Sequence, residues 1–240
     1  MDRPMATRDK IIVALDVASL EEARPFVETL SPYVSCFKVG LELLTSIGAP
    51  EAVRFVHDLG GEVFFDGKFN DIPNTVAGAA KAAASLGVKM FNVHASAGIE
   101  AMRAAVSNKG RSKVLAVTVL TSIDQTLGRR IFGDDPDRKV LQFAREALEA
   151  GVDGIICSPQ ELPLLAREKN LDRLLKITPG VRPDWAQAGD QKRVLTPFEA
   201  VKAGAFALVI GRPITNPPRE VGSPLDAVKK ISSEIEKALG

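Results

Sequence analysis

Three ionisable residues, Asp66, Lys68 and Asp71, close an otherwise apolar run in the stretch FFDGKFNDIPNT, Phe64 to Thr75. Ionised groups at the end of a buried segment are costly unless they pair, so the run ends either at a surface or at a site. Residues two apart on a strand share a face, which points Asp66 and Lys68 the same way and lets them pair. Asp71 follows after the strand has ended, and spacing leaves open whether it closes on its own Lys68 or reaches elsewhere.

Two more charges occupy comparable positions. Asp16 ends the apolar run KIIVALDV, and Lys38 lies in CFKVGLEL. Isolated rim salt bridges contribute little to stability, but stability offers no reason to concentrate five charges at three successive strand ends. Perturbed ionisable groups gather at functional sites.

A second chemistry is visible further along. LVIGRPIT places Gly211 and Arg212 at the end of the last apolar run, where a glycine permits close approach and an arginine supplies a forked, permanently charged donor for phosphate. Before it, PGVRPDWAQAGDQKRVLTP, residues 179–197, is a long segment of little periodicity that carries Pro179, Arg182 and Gln191. A loop of that length in a compact domain reads as a functional lid, and Arg182 and Gln191 can reach the same anion.

The elements that must position these groups are eight short β-rich runs, beginning near residues 10, 36, 62, 89, 113, 154, 175 and 206, with helical patterns between them. Ser19 followed by Glu22 marks a helix start in SLEEARPFVETL, and an Ala-rich amphipathic stretch runs from Thr75 to Leu86. Strands alternating with helices imply parallel pairing. Eight units in 240 residues, with no linker or composition shift, fit a single (β/α)8 barrel (TIM barrel) domain over 1–240 better than a doubly wound sheet. In that fold chemistry sits at the C-terminal strand ends: Asp16, Lys38, Asp66 with Lys68, His94, Thr121 with Ser122 ending the fifth strand, Pro179 with Arg182, and Gly211 with Arg212.

Composition removes other classes. With 31 Lys+Arg against 30 Asp+Glu there is no global basic field for nucleic acid or an acidic membrane. Cys36 and Cys157 stand apart from each other and from both histidines, so they read as small buried apolar residues, and no metal or organic cofactor is indicated. His57 and His94 read as hydrogen-bonded structural histidines. No signal region or membrane span is apparent, which points to the cytoplasm.

Taken together, ALDV, FKVG, FFDGKFNDIPNT, LTS, PGVRP with GDQKR, and VIGRPIT make the chain resemble the orotidine 5'-phosphate decarboxylase family along nearly its whole length. DGKFNDIPNT matches that family's D-x-K-x-x-D-I-x-x-T signature without a gap. The resemblance implies cofactor-free decarboxylation of orotidine 5'-phosphate to UMP and CO2 in pyrimidine synthesis. Lys68 would be the proton donor at C6, beside Asp66, with Asp16 and Lys38 on the ribose and in the charged network. Thr121, with Ser122, would address the pyrimidine, while Pro179, Arg182, Gln191, Gly211 and Arg212 would line or grip the phosphate end. It also implies a homodimer in which Asp71, Ile72 and Thr75 complete the partner's site. Two rivals predict different behaviour: a magnesium-dependent 3-keto-L-gulonate 6-phosphate decarboxylase sharing the D-x-K-x-x-D strand, and a non-catalytic barrel that binds a phosphate ligand. IPNT after Asp71 and the GDQKR segment favour the nucleotide enzyme.

Overall fold

The computed structural model describes residues 7–186 and 195–240. Eight parallel strands close into a barrel in sequence order: β1 (Ile11–Leu15), β2 (Cys36–Val39), β3 (Val63–Phe69), β4 (Met90–His94), β5 (Lys113–Val117), β6 (Gly154–Ile156), β7 (Leu175–Pro179) and β8 (Ala207–Ile210), with β8 returning to pair with β1. The (β/α)8 architecture is thus the one the alternating pattern predicts.

Alternation within each strand divides the core into two layers. Ile12, Ala14, Cys36, Phe64, Met90, Leu115, Ile177, Ala207 and Val209 form one cluster, the packed barrel interior. Their neighbours, among them Ile11, Val13, Phe37, Val39, Val63, Phe91 and Val93, belong to the larger cluster that includes the surrounding helices. Both strand faces are therefore buried, which is why these runs read as almost continuously apolar. Cys36 and Cys157 are both buried and free. Burial pushes the Cys36 thiol up to about 12 and raises Cys157 as well, so both behave as small apolar residues.

Helix starts follow local chemistry. Ser19 caps the helix Leu20–Leu30 by accepting from the Glu22 N–H at 3.2 Å, and Glu22 accepts from the Ala18 N–H. The helix after β3 spans Pro73–Ser85, two residues earlier than the Ala-rich pattern suggests, because Pro73 suits a first helical position. Thr75 accordingly lies in the first turn.

One strand end differs from expectation. β5 stops at Val117, short of Thr121 and Ser122. The Thr118 N–H and its Oγ1 both donate to the Ile156 carbonyl, at 3.2 and 2.9 Å, and the chain then turns through an Ile123 N–H to Leu120 carbonyl bond. A hydroxyl that competes for ladder acceptors ends the strand at this point. Among the described residues no helix is long and apolar enough to cross a membrane.

Candidate active site

The interior face changes character one step above the apolar layer. On β2, Cys36 gives way to Lys38; on β3, Phe64 to Asp66; on β4, Met90 to Asn92; and Asp16 follows Ala14 just past β1. The register sets Ala14 beside Lys38 and Lys38 beside Phe64, so these groups sit on hydrogen-bonded neighbours. The remaining wall, from β5 to β8, carries Val117, Ile156, Pro179 and Val209. A cavity of about 310 Å³ opens between the two walls, lined also by Asp16, Lys68, Thr121, Arg182, Gly211 and Arg212.

The charges on the polar side form a continuous chain. Lys38 Nζ lies 3.0 Å from Asp16 Oδ1 and 3.2 Å from Asp66 Oδ2, and Lys68 Nζ donates to Asp66 Oδ1 at 2.7 Å. The side chain of Asp66 is only 8% exposed, whereas that of Asp16 is 62% exposed, so the chain runs from a buried centre to solvent. Burial alone would raise the Asp66 carboxyl. Lys38 and Lys68, together with hydrogen bonds from Lys68 and Asn92, more than reverse that and hold it below its ordinary value. Burial likewise pulls the Lys38 ammonium down, and Asp66 and Asp16 outweigh it, leaving Lys38 raised. Each group is thereby kept charged at neutral pH.

Asp66 and Lys68 meet as the alternation predicts, but by an irregular route. Between the pairs Phe65–Phe91 and Phe69–Val93, β3 advances four residues while β4 advances two. Within this bulge Lys68 has φ +49°, the only positive φ among the described non-glycine residues. Bulges of this kind re-aim a side chain, here the ammonium.

On the β8 side of the cavity, Gly211 precedes the short helix Arg212–Thr215, and its carbonyl accepts from the Ile214 and Thr215 N–H groups. Arg182 is buried beside it, and its backbone N–H donates to the Leu195 carbonyl at 2.9 Å, joining the two stems of the long loop. Gln191 lies outside the described residues. Thr121 borders the cavity, while Ser122 is exposed and does not.

Asp71, Ile72 and Thr75 do not join this cavity. All three are exposed, Ile72 at 67% despite its apolar side chain, and Asp71 Oδ1 accepts from the Ile72 N–H at 2.7 Å. Among the described residues Asp71 forms no ion pair, so it does not close on Lys68 of its own chain.

Two neighbours of the cluster escaped the sequence reading of function. Asn92, in an apolar run that reads as strand filler, hydrogen-bonds both Asp66 and Lys68. His94 is not the hydrogen-bonded structural histidine expected: among the described residues its side chain has no hydrogen bond, and it borders the charges instead. Burial, then the Lys68 ammonium, lower its pKa, with Asp66 opposing. The interior-facing alternation Met90, Asn92, His94 was the available signal.

Comparison with known proteins agrees with this geometry. The family model described as Orotidine 5'-phosphate decarboxylase / HUMPS family matches residues 9–226. The orotidine 5'-phosphate decarboxylase of Moorella thermoacetica is 47% identical, with 97% of this chain and 94% of that protein covered. That of Geotalea daltonii is 48% identical, over 95% and 96%. The crystal structure of orotidine 5'-phosphate decarboxylase from Lactobacillus acidophilus superposes with a TM-score of 0.80 at 34% identity, covering 94% of this chain and 98% of that one. With its closed barrel, its ion chain at the strand ends and matches of this extent, the chain belongs to the orotidine 5'-phosphate decarboxylase / HUMPS family.

Proposed function

We propose that this chain removes CO2 from orotidine 5'-phosphate to give UMP, in pyrimidine biosynthesis, through a C6 carbanion that Lys68 stabilises and protonates. The relatives' names support the overall reaction. The observation that carries the mechanism is the Lys38–Asp66–Lys68 ion chain on one wall of a cavity that Arg182 and Arg212 also line.

The bond from C6 to the carboxylate breaks and its electron pair stays on C6. A fixed ammonium nearby stabilises that charge without reorganising, because its partners already hold it. Lys68 Nζ then gives a proton to C6, forming the C–H bond of UMP, and regains a proton from solvent. Asp66 holds Lys68 in place, and Lys38 with Asp16 completes the network at the ribose. Thr121, with Ser122 further out, faces the pyrimidine.

The phosphate, gripped by Arg182, Gln191, Gly211 and Arg212 beside Pro179, is remote from the reacting bond, so its binding energy can be used to assemble the site. The exposure of Asp71, Ile72 and Thr75 supports a homodimer in which they complete the partner's site. An apolar Ile72 left 67% exposed is suited to such a contact.

Purified protein with orotidine 5'-phosphate, followed by ultraviolet absorbance in the presence of chelator, tests the reading. Turnover unaffected by chelator is expected. Absence of turnover overturns it, and turnover restored only by magnesium favours the 3-keto-L-gulonate 6-phosphate type of chemistry.

A further inference from the structure

Asn92 is fully buried in β4 and uncharged, yet it holds two groups of the site at once. Its Nδ2 donates to Asp66 Oδ1 at 2.6 Å, and its Oδ1 accepts from the backbone N–H of Lys68 at 2.7 Å. Asp66 Oδ1 is the same oxygen that accepts from Lys68 Nζ at 2.7 Å. The contacts close a ring that runs from the Lys68 backbone through the Asn92 amide and the Asp66 carboxylate back to the Lys68 ammonium.

That ring spans the place where β3 loses its regular pairing with β4. A backbone N–H in a bulge has no ladder acceptor, and a buried one left unpaired is destabilising, so Asn92 Oδ1 supplies what the ladder cannot. Lys68 also stands in the left-handed region, which long side chains occupy only where the surroundings hold them.

We infer that Asn92 is a positioning residue for the reaction: its amide fixes the backbone that aims the Lys68 ammonium and fills one acceptor site of Asp66, turning that carboxylate toward both lysines. The inference rests on the function proposed above. The position requires one donor, one acceptor and no charge. Alanine would leave the Lys68 N–H and an Asp66 lone pair buried and unpaired, and an ionised aspartate would set a second anion against Asp66.

Asn92→Ala and Asn92→Asp, compared with the wild-type chain for kcat, KM and calorimetric affinity for UMP, test this. In both variants kcat at neutral pH is expected to fall by about ten- to 150-fold, the loss typical of a hydrogen bond to a charged group. UMP affinity is expected to change by less than about threefold, since the phosphate end is untouched. As pH is lowered, kcat of Asn92→Asp should rise relative to wild type, because a protonated carboxyl reproduces the amide's donor and acceptor. A residue that merely filled space would give no such acid-side recovery.

Near wild-type kcat, a parallel fall of kcat and UMP affinity, or Asn92→Asp without recovery overturns the inference alone if the wild-type chain is active. An inactive wild-type chain overturns the proposed function and this inference with it. If the variants do not fold, hydrogen exchange of the wild-type chain decides: a slowly exchanging Lys68 amide is expected, and an unprotected one overturns the assignment.

Discussion

Gly40 sits directly against the ammonium of Lys38: a Cβ built on Gly40 would lie 2.9 Å from Lys38 Nζ. The backbone of Gly40, with φ −98°, is open to any residue, so the requirement for glycine is spatial. The obstructed atom is the end of a flexible side chain, which can swing aside at little cost to the fold but only by leaving Asp16 and Asp66.

Gly40→Ala is therefore expected to separate activity from stability. Its melting temperature should stay close to wild type, while kcat/KM falls by about ten- to a hundredfold, the scale associated with displacement of a site group by about 1 Å. Thermal unfolding alongside steady-state kinetics checks both halves. A variant with full activity would show that the position of Lys38 is unimportant to turnover.

The lowered pKa of His94 gives stability a pH dependence of known sign. Between its folded value and the ordinary 6.5, the unfolded chain binds a proton that the folded chain does not. Its contribution is complete above 6.5 and is lost as pH falls through the folded value. Asp66 acts in the same direction lower down: its lowered carboxyl stabilises the fold above 3.8, and that is lost as pH falls through its folded value. Lys38 acts on the alkaline side, with stability present below 10.5 and lost as pH rises through its raised value. Urea midpoints measured from about pH 7 down to about pH 5 should decline for wild type and decline less for His94→Asn. Equal slopes for the two proteins would remove His94 from this account.

Sharing of the site between subunits can be tested by mixing two inactive proteins. In the proposed shared-site homodimer, Lys68→Ala and Asp71→Ala proteins would each lack a necessary group in both sites. After random subunit exchange, half the dimers are mixed and each mixed dimer regains one intact site, so about a quarter of wild-type activity should return. No recovery, once exchange has been verified by mass, would count against Asp71 acting across an interface.

The barrel was legible because β-branched and aromatic runs recur eight times with helical patterns between them, and parallel strands buried on both faces need little else. Asp16, Lys38 and Asp66 were legible for a related reason: a charge two residues beyond an inward-facing apolar side chain must also face inward. Lys68 met Asp66 as that rule requires, although the backbone reaches the meeting through a bulge that no local pattern announces. Asn92 was missed because an uncharged residue inside FNVHA carries no signal until its partners on β3 are known. The extent of β5 was misjudged because Thr118 and Thr121 both favour strands, and only the bonds from Thr118 to Ile156 show which one ends it. Asp71, Ile72 and Thr75 are exposed and stay outside the cavity, and the role proposed for them needs a second chain, which the pattern of one sequence does not display.

Lys38 and Asn92, the two neighbours that hold Asp66 from either side, sit in regular strand pairs with Phe64 and Leu115, so their placement is inherited from the main-chain ladder, a step of about 4.8 Å. The ladder is the stiffest scaffold a folded chain offers, and it is braced on both sides by packed layers. Thermal agitation of the outer loops can thus jostle whatever occupies the mouth while the electrostatic field beneath it holds steady.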